Sequence, residues 1–517
     1  MSSNLSTTSN RGNDRRFLFD NPEEETGDEY YDFYASGLRN KKRPAFNQSS
    51  QSPHLSENTL SNEMEELLAP IPAQIQNLAS PDDSVVIEAL DLLRIPTQQM
   101  YNIPSERFAT FNLAESLAPL LLRENCAEIQ LKTLFILINL TKSFSRSAMP
   151  LFQSICYSAC VDAFPILLQS SEMSIVEHTA WLIHNLCDYS TTLRNHIIVQ
   201  HLVQPLFTII QTKKLDAQQA GTILSAISGL AKNTKRPQIQ EQLSRINSNN
   251  PPFDPSIETD EEQLIIDQIP ALIKLIPTCT EMVISHILDI LFEITNRNYL
   301  AISKMADQEN ISLLVDLLPT IKTAMTHEKL LKALGQLTRT TSDHIQILLN
   351  THLIVYLTII VKKVNNNVLR DIIWICANIA NGTPDQGQQI FDSGLLSYFL
   401  QIQSEMNPIQ IKYLCDLLSN LITTSPALME PLISNNVVGV LLNILRTDHK
   451  TYTVPALCTL NYFLDTSIQN QKTSSSPENT FISYLLAEDF QTVLGNYSSH
   501  EDGRVSELSK EILSKTT

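Results

Sequence analysis

From Glu63 to the end of the chain, apolar residues recur at spacings of three and four, a rhythm that residues 1–60 lack. This spacing lays apolar side chains along one stripe of a helix, so it predicts helices throughout the longer segment. In the clearest stretch, Val368 to Asn381 is one long amphipathic helix and Gly382-Thr383-Pro384 breaks it. A short helix follows at Gln386 to Phe391, and Gly394 allows a turn into a medium helix at Leu395 to Leu400. Equivalent medium helices are expected at 163–168, 206–210, 271–276, 313–318 and 437–445. A three-helix unit of this size cannot bury its apolar face alone, so its neighbours must supply the rest of the core by stacking.

The long helices keep a period. Leu93, Asn139, Asn185, Gly229, Glu293, Gln336, Asn378, Asn420 and Tyr462 form a ladder with steps of 46, 46, 44, 64, 43, 42, 42 and 42 residues. A fixed period in this range marks a solenoid. The one long step is explained by an insertion near 235–262, which includes Asn247-Ser-Asn-Asn-Pro-Pro252 and the acidic Glu258–Glu262 and is expected to be an exposed, mobile loop. Phe481–Leu486 and Arg504–Lys515 read as a partial last repeat with a polar outer face.

Composition narrows the function. Twelve glycines in 517 residues are too few for a sheet-rich fold or for glycine-bearing nucleotide loops. A net charge of −18 opposes a polyphosphate backbone and favours a cationic partner over nucleic acid. The eight cysteines form no Cys-x-x-Cys pair and read as buried free thiols, with no metal site. No secretory signal and no apolar run long enough to span a membrane are present, which places the protein in the cytosol or nucleus. None of the phosphate-loop, zinc-protease or nucleophile-elbow motifs occurs, so neither catalysis nor a cofactor is expected. Residues 1–60 read as a disordered polar arm with basic clusters at Arg11/Arg15/Arg16 and Arg39 to Arg43, separated by the acidic Glu23-Glu24-Glu25, Asp28 and Glu29.

Candidate chemistry sits on the ladder. Trp181 and Asn185, and again Trp374 and Asn378, lie one helical turn apart and share a face. In a stack whose third helices line a concave groove, asparagine amides can both donate to and accept from the main chain of an extended peptide. Neighbouring tryptophan rings flank lysine or arginine stems, for about 0.5–2 kcal/mol each. Asp371 joins Trp374 and Asn378 on one face, Asp188 lies one turn beyond Asn185, Phe135 pairs with Asn139, and Asp416 with Asn420. Asp289 and Glu293 make the middle rung acidic, whereas Ser225/Gly229, Lys332/Gln336 and Cys458/Tyr462 are degenerate.

A run of about ten such units, with Trp-x-x-x-Asn on third helices and a charged N-terminal arm, resembles importin alpha, the armadillo-repeat adaptor of nuclear import. The resemblance implies an all-α, armadillo-repeat, right-handed superhelical solenoid over residues 61–517. It also implies an adaptor that binds basic nuclear localisation signals, links cargo to importin beta, meets an export receptor and moves between cytoplasm and nucleus. By position, Phe135, Asn139, Trp181, Asn185 and Asp188 would form the major peptide site, and Asp371, Trp374, Asn378 and Asn420 the minor one. Residues 1–60 would bind importin beta, with Lys41, Lys42 and Arg43 as the autoinhibitory cluster. The family's arm is strongly basic, whereas residues 1–43 hold seven Lys/Arg against eight Asp/Glu. With Phe135 and the degenerate rungs, the resemblance implies a divergent member with fewer pockets. The competing reading is a catenin-like or HEAT-like armadillo scaffold without a transport role.

Overall fold

A computed structural model describes residues 64–99, 103–123, 126–142, 146–232, 260–473, 481–482, 485 and 489–516. The expected arm at residues 1–60, with Lys41, Lys42 and Arg43, lies outside the described residues, as does most of the insertion. The described residues are helical and contain no strand. They fall into two compact units, one ending at Leu313 and the other running from Leu314 to the C-terminus.

In the first unit the long helices are α1 (Asp83–Gln98), α2 (Ala127–Leu140), α3 (Met173–Tyr189), α4 (Ala217–Ala231), α5 (Asp260–Leu275) and α6 (Glu281–Thr295). The rung residues fall on α1, α2, α3, α4 and α6, which pack on one another in that order. Shorter helices lie against them, such as Leu113–Leu121 on α2 and Val203–Thr212 on α4. In the second unit α7 (Ala324–Thr338), α8 (Asn366–Ala380), α9 (Pro408–Thr424), α10 (Thr453–Thr473) and α11 (Gly503–Thr516) pack in series. Each unit is thus a stack of armadillo-type three-helix repeats.

Local chemistry sets where helices begin. Asp216 with Gln219, Thr383 with Gln386, and Asn407 with Gln410 each form a reciprocal capping box, and Pro384 and Pro408 occupy the first helical position, where no amide hydrogen is needed. Two of these glutamines also bind the preceding repeat, Gln386 Nε2 donating to the Ser342 carbonyl at 2.8 Å and Gln410 Nε2 to the Asn366 carbonyl at 2.7 Å. The turn into the medium helix needs a left-handed residue. Gly394 supplies it at φ 78°, and Asn112, His201 and Asn436 fill the equivalent turns at 50°, 55° and 59°. Asparagine visits this region more readily than most residues, so the turn is recoverable from sequence at Asn112 and Asn436 but not at His201.

The core of each unit is mostly apolar. Phe108, Phe152, Phe164 and Phe207 are fully buried in the first, as are Trp374, Phe399, Phe463 and Phe490 in the second. Burying each such ring is worth roughly 1.5–3 kcal/mol. Five cysteines are buried free thiols, and burial pushes Cys156 and Cys376 up to about 12.

One expectation fails at the insertion. Asp260, Glu261 and Glu262 are not loop but the first turn of α5, a single helix that absorbs the expected medium helix at 271–276. Glu261 and Glu262 are each only 4% exposed. Glu261 accepts from His201 Nδ1 at 2.9 Å and from the Val203 amide at 3.1 Å. Glu262 accepts from Arg297 Nη2 at 2.9 Å and faces Arg194 Nη2 at 3.7 Å. An acidic run is normally solvated, but here two buried arginines draw it inward.

Candidate peptide-binding face

Within each unit the ladder residues lie where consecutive long helices pack, and Asn185, Asn378 and Asn420 each reach the preceding repeat. Asn185 Nδ2 donates to Thr141 Oγ1 on the preceding repeat at 3.0 Å, and Asn378 Nδ2 donates to Thr338 Oγ1 at 3.2 Å. In both cases the acceptor is the hydroxyl two residues past the preceding rung, Asn139 or Gln336. For Asn139 the corresponding residue is Ile95, two past Leu93, and the Asn139 Nδ2 is buried without a partner. For Asn420 it is Ala380, and the amide turns instead to the Ala377 carbonyl at 2.7 Å. The asparagine row therefore first ties repeats together. Ile95 is half exposed, so Ile95→Thr is expected to supply the missing acceptor and stabilise the first unit by about 0.5–1 kcal/mol in chemical denaturation. No gain would mean that Asn139 does not follow the Asn185 geometry.

In the first unit, Phe135, His178 and Trp181 form a loose aromatic row, with ring centroids 6.2 and 6.3 Å apart, and both Phe135 and Trp181 are half-buried. The cations beside them belong to the chain itself. Lys142 Nζ stands 5.7 Å from the Phe135 centroid and donates to Asn139 Oδ1 at 2.5 Å. Asp188, expected to meet a charged tip of a bound peptide, is paired with Lys232 of the following repeat. Burial pushes the Asp188 carboxyl up, but the Lys232 and His184 charges outweigh it and hold the group below its ordinary value. Lys142 is legible in the sequence as a cation standing where the resemblance places a basic side chain of the cargo, whereas Lys232 was missed, although it lies three residues beyond a rung.

In the second unit Trp374 is fully buried rather than open as a slot. Its ring lies over Gly335 of α7, so closely that a Cβ there would come within 2.1 Å of Trp374 Cζ3. Asp371 is also fully buried, its Oδ1 accepting from Arg370 Nε at 2.9 Å and Nη2 at 2.8 Å. Burial lifts the Asp371 carboxyl to about 6, against the pull of the Arg370 and Lys332 charges. Four buried polar atoms on α7 and α8 have no hydrogen-bond partner: Gln336 Nε2 and Trp374 Nε1 are donors, Asn378 Oδ1 and Asp371 Oδ2 acceptors. Buried polar groups are normally satisfied, so such a cluster needs an explanation. Donors beside acceptors are what a peptide main chain complements. No group of three or more His, Cys, Asp or Glu among the described residues is placed to hold a metal.

Fold and face together define an all-α armadillo-type repeat protein. No family model matches the sequence, and no curated protein matches it either. An engineered protein solved by the Northeast Structural Genomics Consortium superposes with a TM-score of 0.71 at 16% identity, covering 86% of this chain and 98% of its own. A designed armadillo repeat protein solved in complex with the peptide (KR)4 superposes with a TM-score of 0.44 at 18% identity, covering 48% of this chain and 100% of its own. The first likeness bears on the fold and, at that identity, not on function. The second is too distant to add to it.

Proposed function

We propose that this chain is a non-catalytic adaptor that holds an extended peptide segment along its long-helix face. The observation that carries this reading is the set of unsatisfied donors and acceptors on α7 and α8, Gln336 Nε2, Trp374 Nε1, Asn378 Oδ1 and Asp371 Oδ2. In finer form, the ligand is a basic nuclear localisation segment and the adaptor passes it to importin beta between cytoplasm and nucleus. The net charge of −18 and the half-exposed Asp289 and Glu293 on α6 support a cationic ligand. The scaffold reading without transport is favoured by a separate observation: Lys142 and Lys232 already stand beside Asn139 and Asp188, where a basic ligand would place its own charges.

A two-cluster basic peptide titrated into the full chain tests the reading. Gln336→Ala with Asn378→Ala is expected to weaken binding about tenfold, the equivalent of about 1.4 kcal/mol. Trp181→Ala with Asn185→Ala is expected to weaken it less. Unchanged affinity in both variants would remove peptide binding from this face, and failure to retain importin beta in a pull-down would leave a scaffold in place of a transport adaptor.

A further inference from the structure

Among the described residues α1 is the first of the long helices, and α2 is the long helix that packs on it. Its buried side is formed by Val86, Ala89, Leu90, Leu93, Pro96 and Thr97. Away from that side, Leu92 is 41% and Ile95 50% exposed, three positions apart and so on one stripe. No other described long helix leaves a large apolar side chain open in its interior. Met282 on α6 and Met325 on α7 are exposed, but each is the second residue of its helix. The last long helix, α11, exposes Arg504, Glu507, Lys510, Glu511 and Ser514 instead. A polar outer face keeps a terminal repeat soluble, and α11 has one where α1 does not.

The polypeptide enters the stack beside the uncovered stripe, since the helix Ile71–Asn77 packs on α1. Upstream, outside the described residues, lies the densest aromatic run of the chain, Tyr30-Tyr31-Asp32-Phe33-Tyr34, preceded by Asp28 and Glu29. Four large rings in five positions carry an apolar area that gains from leaving water. Residues 35–63, 29 in all, separate this run from Met64, where the described chain begins. Extended, they reach on the order of 100 Å, against about 24 Å for the length of a helix like α1. A tether of this kind holds the run at an effective concentration on the order of millimolar, so a small contact area suffices. The charges also match. Arg94 is exposed beside the stripe and enters no ion pair among the described residues, whereas Asp91 is already held by Lys132 at 2.6 Å. Glu88, exposed one turn before Leu92, repels carboxylates and confines an acidic segment to the C-terminal half of α1.

We propose that the acidic aromatic run Asp28–Tyr34 docks in cis on α1 over Leu92, Arg94 and Ile95 and closes the open end of the first unit. Its rings cover the two apolar side chains, and its carboxylates face the Arg94 guanidinium. This differs in segment, sign and place from insertion of Lys41-Lys42-Arg43 into a peptide groove. It also goes beyond the peptide-binding reading, whose titration can fail without affecting it.

Photo-cross-linking of the full chain with p-benzoylphenylalanine in place of Phe33, read by mass spectrometry after digestion, tests this. The expected adduct joins position 33 to residues 88–99, and it falls severalfold in L92Q/I95Q, whose two positions are already open to solvent. Without the photoprobe, Y30S/Y31S/F33S/Y34S leaves the folded repeats untouched and is expected to speed hydrogen exchange severalfold in residues 88–99 but not in α3. No adduct, adducts only on other segments, or unchanged exchange in the aromatic variant would overturn the proposal. Mixing light and heavy isotope-labelled chains separates cis from trans, and adducts solely between copies would overturn it as well.

Discussion

Glu262→Gln is expected to destabilise the first unit by about 3–5 kcal/mol, the range for removing one partner of a buried ion cluster. Arg194 and Arg297 have side chains 3% and 5% exposed, and Glu262 is the carboxylate between them. Both arginines also donate to neutral groups. Arg194 Nε donates to the Leu230 carbonyl at 2.7 Å and its Nη1 to Asn195 Oδ1 at 3.0 Å, while Arg297 Nη1 donates to the Glu293 carbonyl at 2.8 Å. Burial lowers the Arg194 guanidinium to about 10, the like charge of Arg297 adds to that fall, and Glu262 opposes both. A glutamine keeps the shape and removes the opposing charge, so two buried cations face each other. Repeat stacks do not always unfold in one step, so the measurement is hydrogen exchange by segment. Protection should fall around residues 191–200, 260–275 and 292–298 and persist in α8 and α9. A change below about 1 kcal/mol would show that the arginines are solvated.

The second large effect separates the two tryptophans. Trp374→Ala should lower the stability of the second unit by about 3–5 kcal/mol, as truncation of a buried aromatic does, whereas the half-exposed Trp181 should lose much less on the same change. Gly335→Ala tests the same contact from the other side, because its new Cβ would come within 2.1 Å of Trp374 Cζ3. Overpacking of this kind typically costs about 1–3 kcal/mol. Combined with Trp374→Leu, Gly335→Ala should cost less than it does alone, a coupling that a double-mutant cycle in chemical denaturation reads directly. Trp374→Phe removes the unsatisfied Nε1 while keeping most of the ring. It should leave the fold nearly intact yet weaken peptide binding, and equal binding would make Trp374 a packing residue alone.

How much was legible differs between fold and site. The helix stripes, the Gly382–Pro384 break, the Gly394 turn and the ladder all follow from local rules, because helix periodicity and turn chemistry act within a few residues. The partners of the ladder residues lie about 40 positions away: Thr141 for Asn185, Thr338 for Asn378, Lys232 for Asp188. A Trp-x-x-x-Asn turn looks the same on paper whether its ring is half-exposed, as at Trp181, or seated on a glycine of the preceding long helix, as at Trp374. The signal that separates them is Gly335, one residue before a rung, and it has meaning only once α7 and α8 are placed side by side.

The amino-acid sequence by itself determined the repeat length, the order of helices and the face on which the ladder lies, since each depends on near neighbours along the chain. Tertiary structure alone decided which ladder groups are already satisfied by other repeats, that Glu261 and Glu262 turn inward, and that Trp374 is buried against Gly335. Burial and charge pairing are properties of stacked helices, where residues 35 to 60 positions apart come within hydrogen-bond reach.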